Sequence, residues 1–328
     1  MTAIAHPPID QAARLRALVA GNGAAHLTHA TPPVTAATPV AHCPAIAVAS
    51  GKGGVGKTNI CVNLAITFAR SGLRTLLIDG DLGLGNADVL CGLNPRRHLG
   101  HCLDGVCGPA EILIDAPGGF RLLPGASGIA RLADLDPARR ANLIQSFDAL
   151  QSGHDIILID CGAGIGAGVL AFVEASDLTL VVATPEPTSV ADAYALLKCL
   201  LLSRQERWGT SVTDAPSPSL ALVVNQAKTT EEAIGVHQRI DSVTRRFLQS
   251  EIAFAGGVRA DPAVSEAVRA RSPLVLSQEK CRAAMDIREM SGCVASMVGL
   301  GAVNGARQAR SKGLLARALR ILTPGADA

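Results

Sequence analysis

Residues 45–58 read Ala45-Ile46-Ala47-Val48-Ala49-Ser50-Gly51-Lys52-Gly53-Gly54-Val55-Gly56-Lys57-Thr58. The first six are a small, apolar run of the kind found in strands buried on both faces. A glycine-rich turn follows, and a helical pattern opens at Lys57. The turn satisfies G-x-x-x-x-G-K-[ST] in full, in the strand-then-helix setting where that pattern has a mechanism. Its glycines let successive backbone N–H groups face a chain of phosphates, and the helix N-terminus adds partial positive charge. Gly53, Gly54, Val55, Gly56, Lys57, Thr58 and Asn59 are therefore assigned to nucleotide binding. Lys57 is expected to reach the β- and γ-phosphates, and the Thr58 hydroxyl to ligate Mg2+.

Outward from this loop the chain alternates between two kinds of segment. Strand-like runs are expected at Ala45–Ser50, Arg74–Asp79, Phe120–Leu123, Asp155–Asp160, Leu178–Ala183, Leu220–Asn225 and Ile252–Val258. Helical stretches are expected at 57–71, 137–150, 164–176, 188–207 and 230–250, with two more at about 261–270 and 279–299. Alternation of this kind predicts an α/β fold: a doubly wound, mostly parallel sheet flanked by helices. The composition agrees. Of 328 residues 48% are hydrophobic, yet only eight are aromatic, so the core is aliphatic and wholesale disorder is excluded.

The remaining chain divides as follows. Residues 1–20 contain a short amphipathic helix (8–20), with Asp10 as N-cap, and do not read as a signal peptide. Residues 21–44 are an Ala/Thr/Pro/Gly-rich linker, 45–300 the main domain, and 301–328 a basic tail. The formal charge of +2 is uneven: residues 307–328 carry five Lys or Arg against Asp327, a net of +4, which leaves −2 for the rest. From Leu314 to Leu322 the apolar residues fill one arc, with Arg317 and Arg320 opposite. Such a helix either lies in an anionic membrane interface or packs on the domain, and the first is preferred here. No run reaches the roughly 18 apolar residues of a spanning helix. Nine scattered cysteines without Cys-x-x-Cys read as free thiols. The spacing of His98, His101, Cys102 and Cys107 matches no standard zinc pattern.

Lys52 sits at the loop mouth, where an ordinary phosphate loop needs no second lysine. The run Lys52-Gly-Gly-Val-Gly-Lys57-Thr58 resembles the deviant phosphate loop of the MinD/ParA family of ATPases, a SIMIBI-like branch of the P-loop NTPases. The resemblance implies ATP or ADP with Mg2+, and an ATP-dependent homodimer in which Lys52 reaches the partner's phosphates. Asp79-Gly-Asp81 ends a strand, where open parallel sheets place ligand contacts, and DGDLGLGNAD resembles the family's first switch segment. By that resemblance Asp81 orients the attacking water, Asp79 belongs to the Mg2+ shell, and Asn86 lies near the dimer interface. Asp160 ends the apolar strand DIILID, the usual position of an acid that holds Mg2+ directly or through water. Cys161 stands where relatives have Ser or Thr. Asn225 ends LALVVN, and its amide could donate to and accept from an adenine edge, or serve as a cap or turn residue. The resemblance favours adenine, with Asp261 in the neighbouring loop as a second base-side contact, although Arg259 replaces the usual proline.

Two further segments narrow the resemblance. Thr184-Pro-Glu-Pro-Thr-Ser189 and Asp10-Gln-Ala-Ala-Arg-Leu-Arg16 look like segments of flagellar-number regulators of the FlhG/FleN type. That implies a cytoplasmic protein that cycles on and off the inner face of the membrane. Residues 10–16 would engage a signal-recognition-type flagellar GTPase, a tethered helix being suited to that role. A DNA-segregation ATPase is the main alternative, but the net −2 of the first 306 residues argues against DNA. A nitrogenase-reductase-like carrier lacks suitably placed cysteines, and a cobyrinate-synthase-like enzyme lacks room for a glutaminase domain. A nucleotide sensor with negligible turnover stays open.

Overall fold

The computed structural model describes residues 43–81, 85–125, 137–208, 219–300 and 313–322. The expected N-terminal helix and nearly all of the linker lie outside these residues, as does the tail up to 312. Cys43 and Pro44, assigned to the linker, are already buried, so the domain begins slightly earlier than expected.

Eight strands form one sheet in the order β3-β4-β2-β5-β1-β6-β7-β8. They are β1 (Ala45–Ser50), β2 (Thr75–Gly80), β3 (Ile114–Asp115), β4 (Arg121–Leu123), β5 (Ile156–Ala163), β6 (Leu178–Ala183), β7 (Ser219–Ala227) and β8 (Ala253–Arg259). All seven expected strands are present, and their pairings are parallel. The additional strand β3 is antiparallel to β4 at the edge. With only two residues it has no periodicity for a sequence reading to detect.

The helices are α1 (Lys57–Arg70), α2 (Ala87–Leu90), α3 (Leu99–Leu103), α4 (Pro137–Ser152), α5 (Ala167–Ala175), α6 (Pro187–Trp208), α7 (Thr230–Leu248), α8 (Pro262–Arg269), α9 (Leu274–Ser277), α10 (Arg282–Met297) and α11 (Leu314–Leu322), with a 3₁₀ turn at Pro109–Ile112. Alternate residues of each strand point to opposite layers. In β1, Ala45, Ala47 and Ala49 share a core with Phe172 of α5, Leu196 of α6 and Val236 of α7. Ile46 and Val48 join Ile60 and Leu64 of α1 and Ile287 of α10 on the other side. Both faces are covered, which is why the strands lack polar alternation.

The C-terminal helix departs from expectation. Leu314, Leu315, Ala318 and Leu319 are at most 5% exposed, packed in the same core as Leu76, Phe147 and Phe172. Gln151 Oε1 accepts the Leu314 N–H at 2.9 Å. Arg317, expected on a solvated face, turns inward, its guanidinium 3.8 Å from Asp177. The helix thus takes the packed arrangement rather than presenting its apolar arc to a membrane.

Candidate functional site

The central strands end together at one edge of the sheet, and the loops there form the site. β1 delivers the phosphate loop between its neighbours β5 and β6. Gly54 and Gly56 adopt positive φ (78° and 90°), the left-handed turn that starts α1. At Gly56 the demand is double, because a Cβ would stand 2.3 Å from Asn225 Nδ2. The Gly164 N–H donates to the Ser50 carbonyl at 2.9 Å, joining the loop after Asp160 to the phosphate loop.

Lys57 is buried at the helix start, with Thr58 beside it. Asp79 and Asp160 are direct partners in the β2–β5 register and both are buried. Neither Oδ atom of Asp160 has a hydrogen-bond partner. Burial raises its pKa to about 7, with the nearby Thr58 hydroxyl and Lys57 drawing it back. A buried carboxylate with unsatisfied oxygens next to a threonine hydroxyl is a hard-oxygen donor set suited to Mg2+. Asp79 is used differently. Its Oδ1 accepts from the Asp81 N–H and its Oδ2 from the Ala87 N–H, both at 3.3 Å. Burial lifts its pKa to about 6. Its oxygens fasten the first switch segment beside Asp160. Asp81 lies across from Gly162, where a Cβ would meet Asp81 Oδ1 at 3.4 Å. Asn86 is exposed at the start of α2.

Lys52 is not turned to its own phosphate loop. Its Nζ donates to Glu186 Oε2 at 2.7 Å and to Thr188 Oγ1 at 3.0 Å, across the opening of α6. The pair is solvent-accessible, with the lysine side chain 31% and the glutamate 66% exposed, so it is weak and readily exchanged. Sequence reasoning placed Glu186 and Thr188 in a resemblance segment but gave them no partner. A separation of 134 residues leaves no local signal. Asp192 was missed too, although its carbonyl packs so close to Gly51 that any Cβ would collide.

On the base side, Asn225 Nδ2 donates to the Val55 carbonyl at 2.8 Å. That bond uses one of the two amide hydrogens, so the second N–H and Oδ1 are left as a donor and an acceptor for an adenine edge. Gln226 follows with φ 61°, a left-handed residue at a break in the β7–β8 register. At Asp261, the second expected base-side contact, Oδ1 caps α8 through the Ala263 N–H and Oδ2 accepts the Arg282 N–H at the start of α10, so the carboxylate joins two helix starts. Arg259 is pinned to Asp286 by Nε and Nη2. Cys161 is buried, its Sγ 3.8 Å from the Ile159 carbonyl, and burial pushes its thiol far up. Among the described residues no three His, Cys, Asp or Glu gather into a metal cluster.

Comparison with known proteins gives the same picture. Residues 46–299 match the CobQ/CobB/MinD/ParA nucleotide binding domain. The antiactivator FleN of Pseudomonas aeruginosa is 41% identical over 224 residues, 68% of this chain and 76% of that protein. The flagellum site-determining protein YlxH of Helicobacter pylori is 31% identical over 259 residues, 79% and 84% of the two chains. Among solved structures, the septum site-determining protein MinD of Pyrococcus horikoshii, complexed with Mg-ADP, superposes with a TM-score of 0.61 at 21% identity, over 79% of this chain and 99% of that one.

Proposed function

Because the chain belongs to the CobQ/CobB/MinD/ParA family of nucleotide-binding domains, in its FleN/FlhG-type branch, we propose that it is an ATP-dependent dimerising switch that regulates flagellar number or placement. The observation that carries this reading is Lys52, a cation at the rim of the phosphate loop, held weakly by Glu186 and Thr188 and pointing away from its own site. Exchange of that surface pair for a second copy's phosphates would close a sandwich dimer at little cost.

Within the closed site, Lys57 and the loop N–H groups would orient the phosphates, and Asp81 would position the attacking water. Asp160 and Thr58 would hold Mg2+, which supplies charge to the developing phosphate oxygens. Hydrolysis removes the γ-phosphate, and the Gly162–Gly166 segment, bonded to Ser50, would relay its loss. Turnover is expected to be slow and partner-regulated. The C-terminal helix would serve a membrane only after leaving its groove, and residues 10–16 would meet the flagellar GTPase. The protein would then be cytoplasmic and peripheral to the membrane. Among the described residues no helix is long and apolar enough to cross one.

Phosphate release and ATP-dependent dimer mass test the switch. Asp81→Ala is expected to dimerise yet lose turnover by about 100-fold or more, and Lys52→Ala to lose both. Wild-type turnover in the first, or normal dimers and turnover in the second, would sink the proposal.

A further inference from the structure

The segment between α2 and β4 carries a feature the nucleotide site does not use. α3 ends in a tight turn: the Gly105 N–H donates to the Cys102 carbonyl at 3.0 Å and the Val106 N–H to the His101 carbonyl at 2.9 Å, with Gly105 at φ +75°. The reversal brings Cys107 back against Cys102, their sulfurs 3.8 Å apart. A disulfide needs about 2.05 Å, so the sulfurs have about 1.8 Å left to close. Cys102 is 4% exposed, in the core with Leu99, Leu103 and Ile112, while Cys107 is only half-buried. One thiol can meet a reagent and the other waits behind it.

We propose that Cys102 and Cys107 form a reversible disulfide with low-molecular-weight disulfides of the oxidised-glutathione class. The Cys107 thiolate attacks one sulfur of the reagent, whose S–S bond breaks and releases one thiolate. Cys102 Sγ then attacks Cys107 Sγ in the mixed disulfide and displaces the second thiolate. The protein loses two S–H hydrogens, the two protons pass to the released thiolates, and one small disulfide is reduced by two electrons. Burial pushes the Cys102 thiol up to about 12, which lowers its thiolate fraction in the second step. Bridging would lock the end of α3 to the 3₁₀ turn that follows. α3 is itself fastened to the end of β4 through the Leu99 N–H and the Pro124 carbonyl, beside the strand that delivers Asp79.

The test is a peptide map of the reduced full-length protein after exposure to oxidised glutathione, alkylation under denaturing conditions and trypsin. Residues 98–121 form one tryptic peptide, bounded by Arg97 and Arg121, with both cysteines and no others. The wild-type peptide is expected unlabelled and lighter by two hydrogens, with full labelling restored by dithiothreitol. The buried Cys61 and Cys161 are expected to stay labelled throughout. In Cys107→Ser, Cys102 is expected to remain fully alkylated. A wild-type peptide that ends with two alkyl groups, with glutathione retained on either cysteine, or bridged to another peptide overturns the proposal without recourse to any variant.

Discussion

Replacing Asp160 by Asn removes a charge the fold pays to keep buried, and the magnitude follows from the site. A carboxyl raised from 3.8 to about 7 costs about 4 kcal/mol once fully ionised, because each unit is worth about 1.36 kcal/mol. The native state holds the proton more tightly than the unfolded chain does. Stability from this group is therefore complete below the unfolded value near 3.8 and is lost as pH rises to about 7. Roughly 2–3 kcal/mol of that loss accrues between pH 5 and pH 8. Asn keeps the shape but buries amide hydrogens without assured partners, a cost of about 1–3 kcal/mol. In urea titrations without nucleotide or Mg2+, Asp160→Asn is expected to be more stable than wild type at pH 8 by about 1–3 kcal/mol, and equal or slightly less stable at pH 5. Mg-ADP should raise the wild-type midpoint at pH 8 far more than that of the variant. If Asp160→Asn is the less stable protein at pH 8, or the pH dependence of the difference runs the other way, the account of Asp160 as an unsatisfied buried acid is wrong.

Other perturbations follow from single contacts. Gly56→Ala must place a Cβ against Asn225 Nδ2 at a left-handed position, and is expected to weaken binding of a fluorescent ATP analogue by about 100-fold or more; near-normal binding would mean the loop has freedom it lacks here. Asn225→Ala removes the amide donor and acceptor offered to an adenine edge, so competition titration should show the preference for ATP over GTP falling about tenfold. An unchanged ratio would assign base reading elsewhere. Leu319→Asp puts a charge where exposure is 3%, and hydrogen exchange at residues 314–322 should lose its protection because undocking costs less than burying the carboxylate. Protection equal to wild type would contradict the burial of Leu319 against the core.

The fold was legible because its signals are local. The aliphatic runs ending in Ser50, Asp79, Asp160 and Asn225 register as strands covered on both faces, and a glycine-rich turn between strand and helix has few other uses. Strand ends slipped by one to three residues, since hydrogen bonding to neighbours rather than composition sets where pairing stops. The short β3 escaped for want of length. The site acids were legible for the same reason as the loop: each sits at the end of an apolar run.

What each polar group does there was not legible, because that depends on which distant atom arrives beside it. Asp79 and Asp160 look alike in sequence, yet Ala87 and Asp81 turn their N–H groups onto the first, and none comes to the second. Asp261 accepts from two helix starts, and Asn225 gives one amide hydrogen to Val55. Lys52 finds its partners 134 and 136 residues away. The C-terminal helix shows the limit most plainly. Its amphipathic arc is written in residues 314–322, but an apolar face specifies only that it be buried, not against what. By itself the sequence determined the doubly wound sheet, the phosphate loop and the acids around it, through periodicity and strand-end position. Only the tertiary structure decided which acid the backbone N–H groups engage, where Lys52 rests and what covers the last helix, because burial and hydrogen-bond competition are settled between elements far apart in the chain.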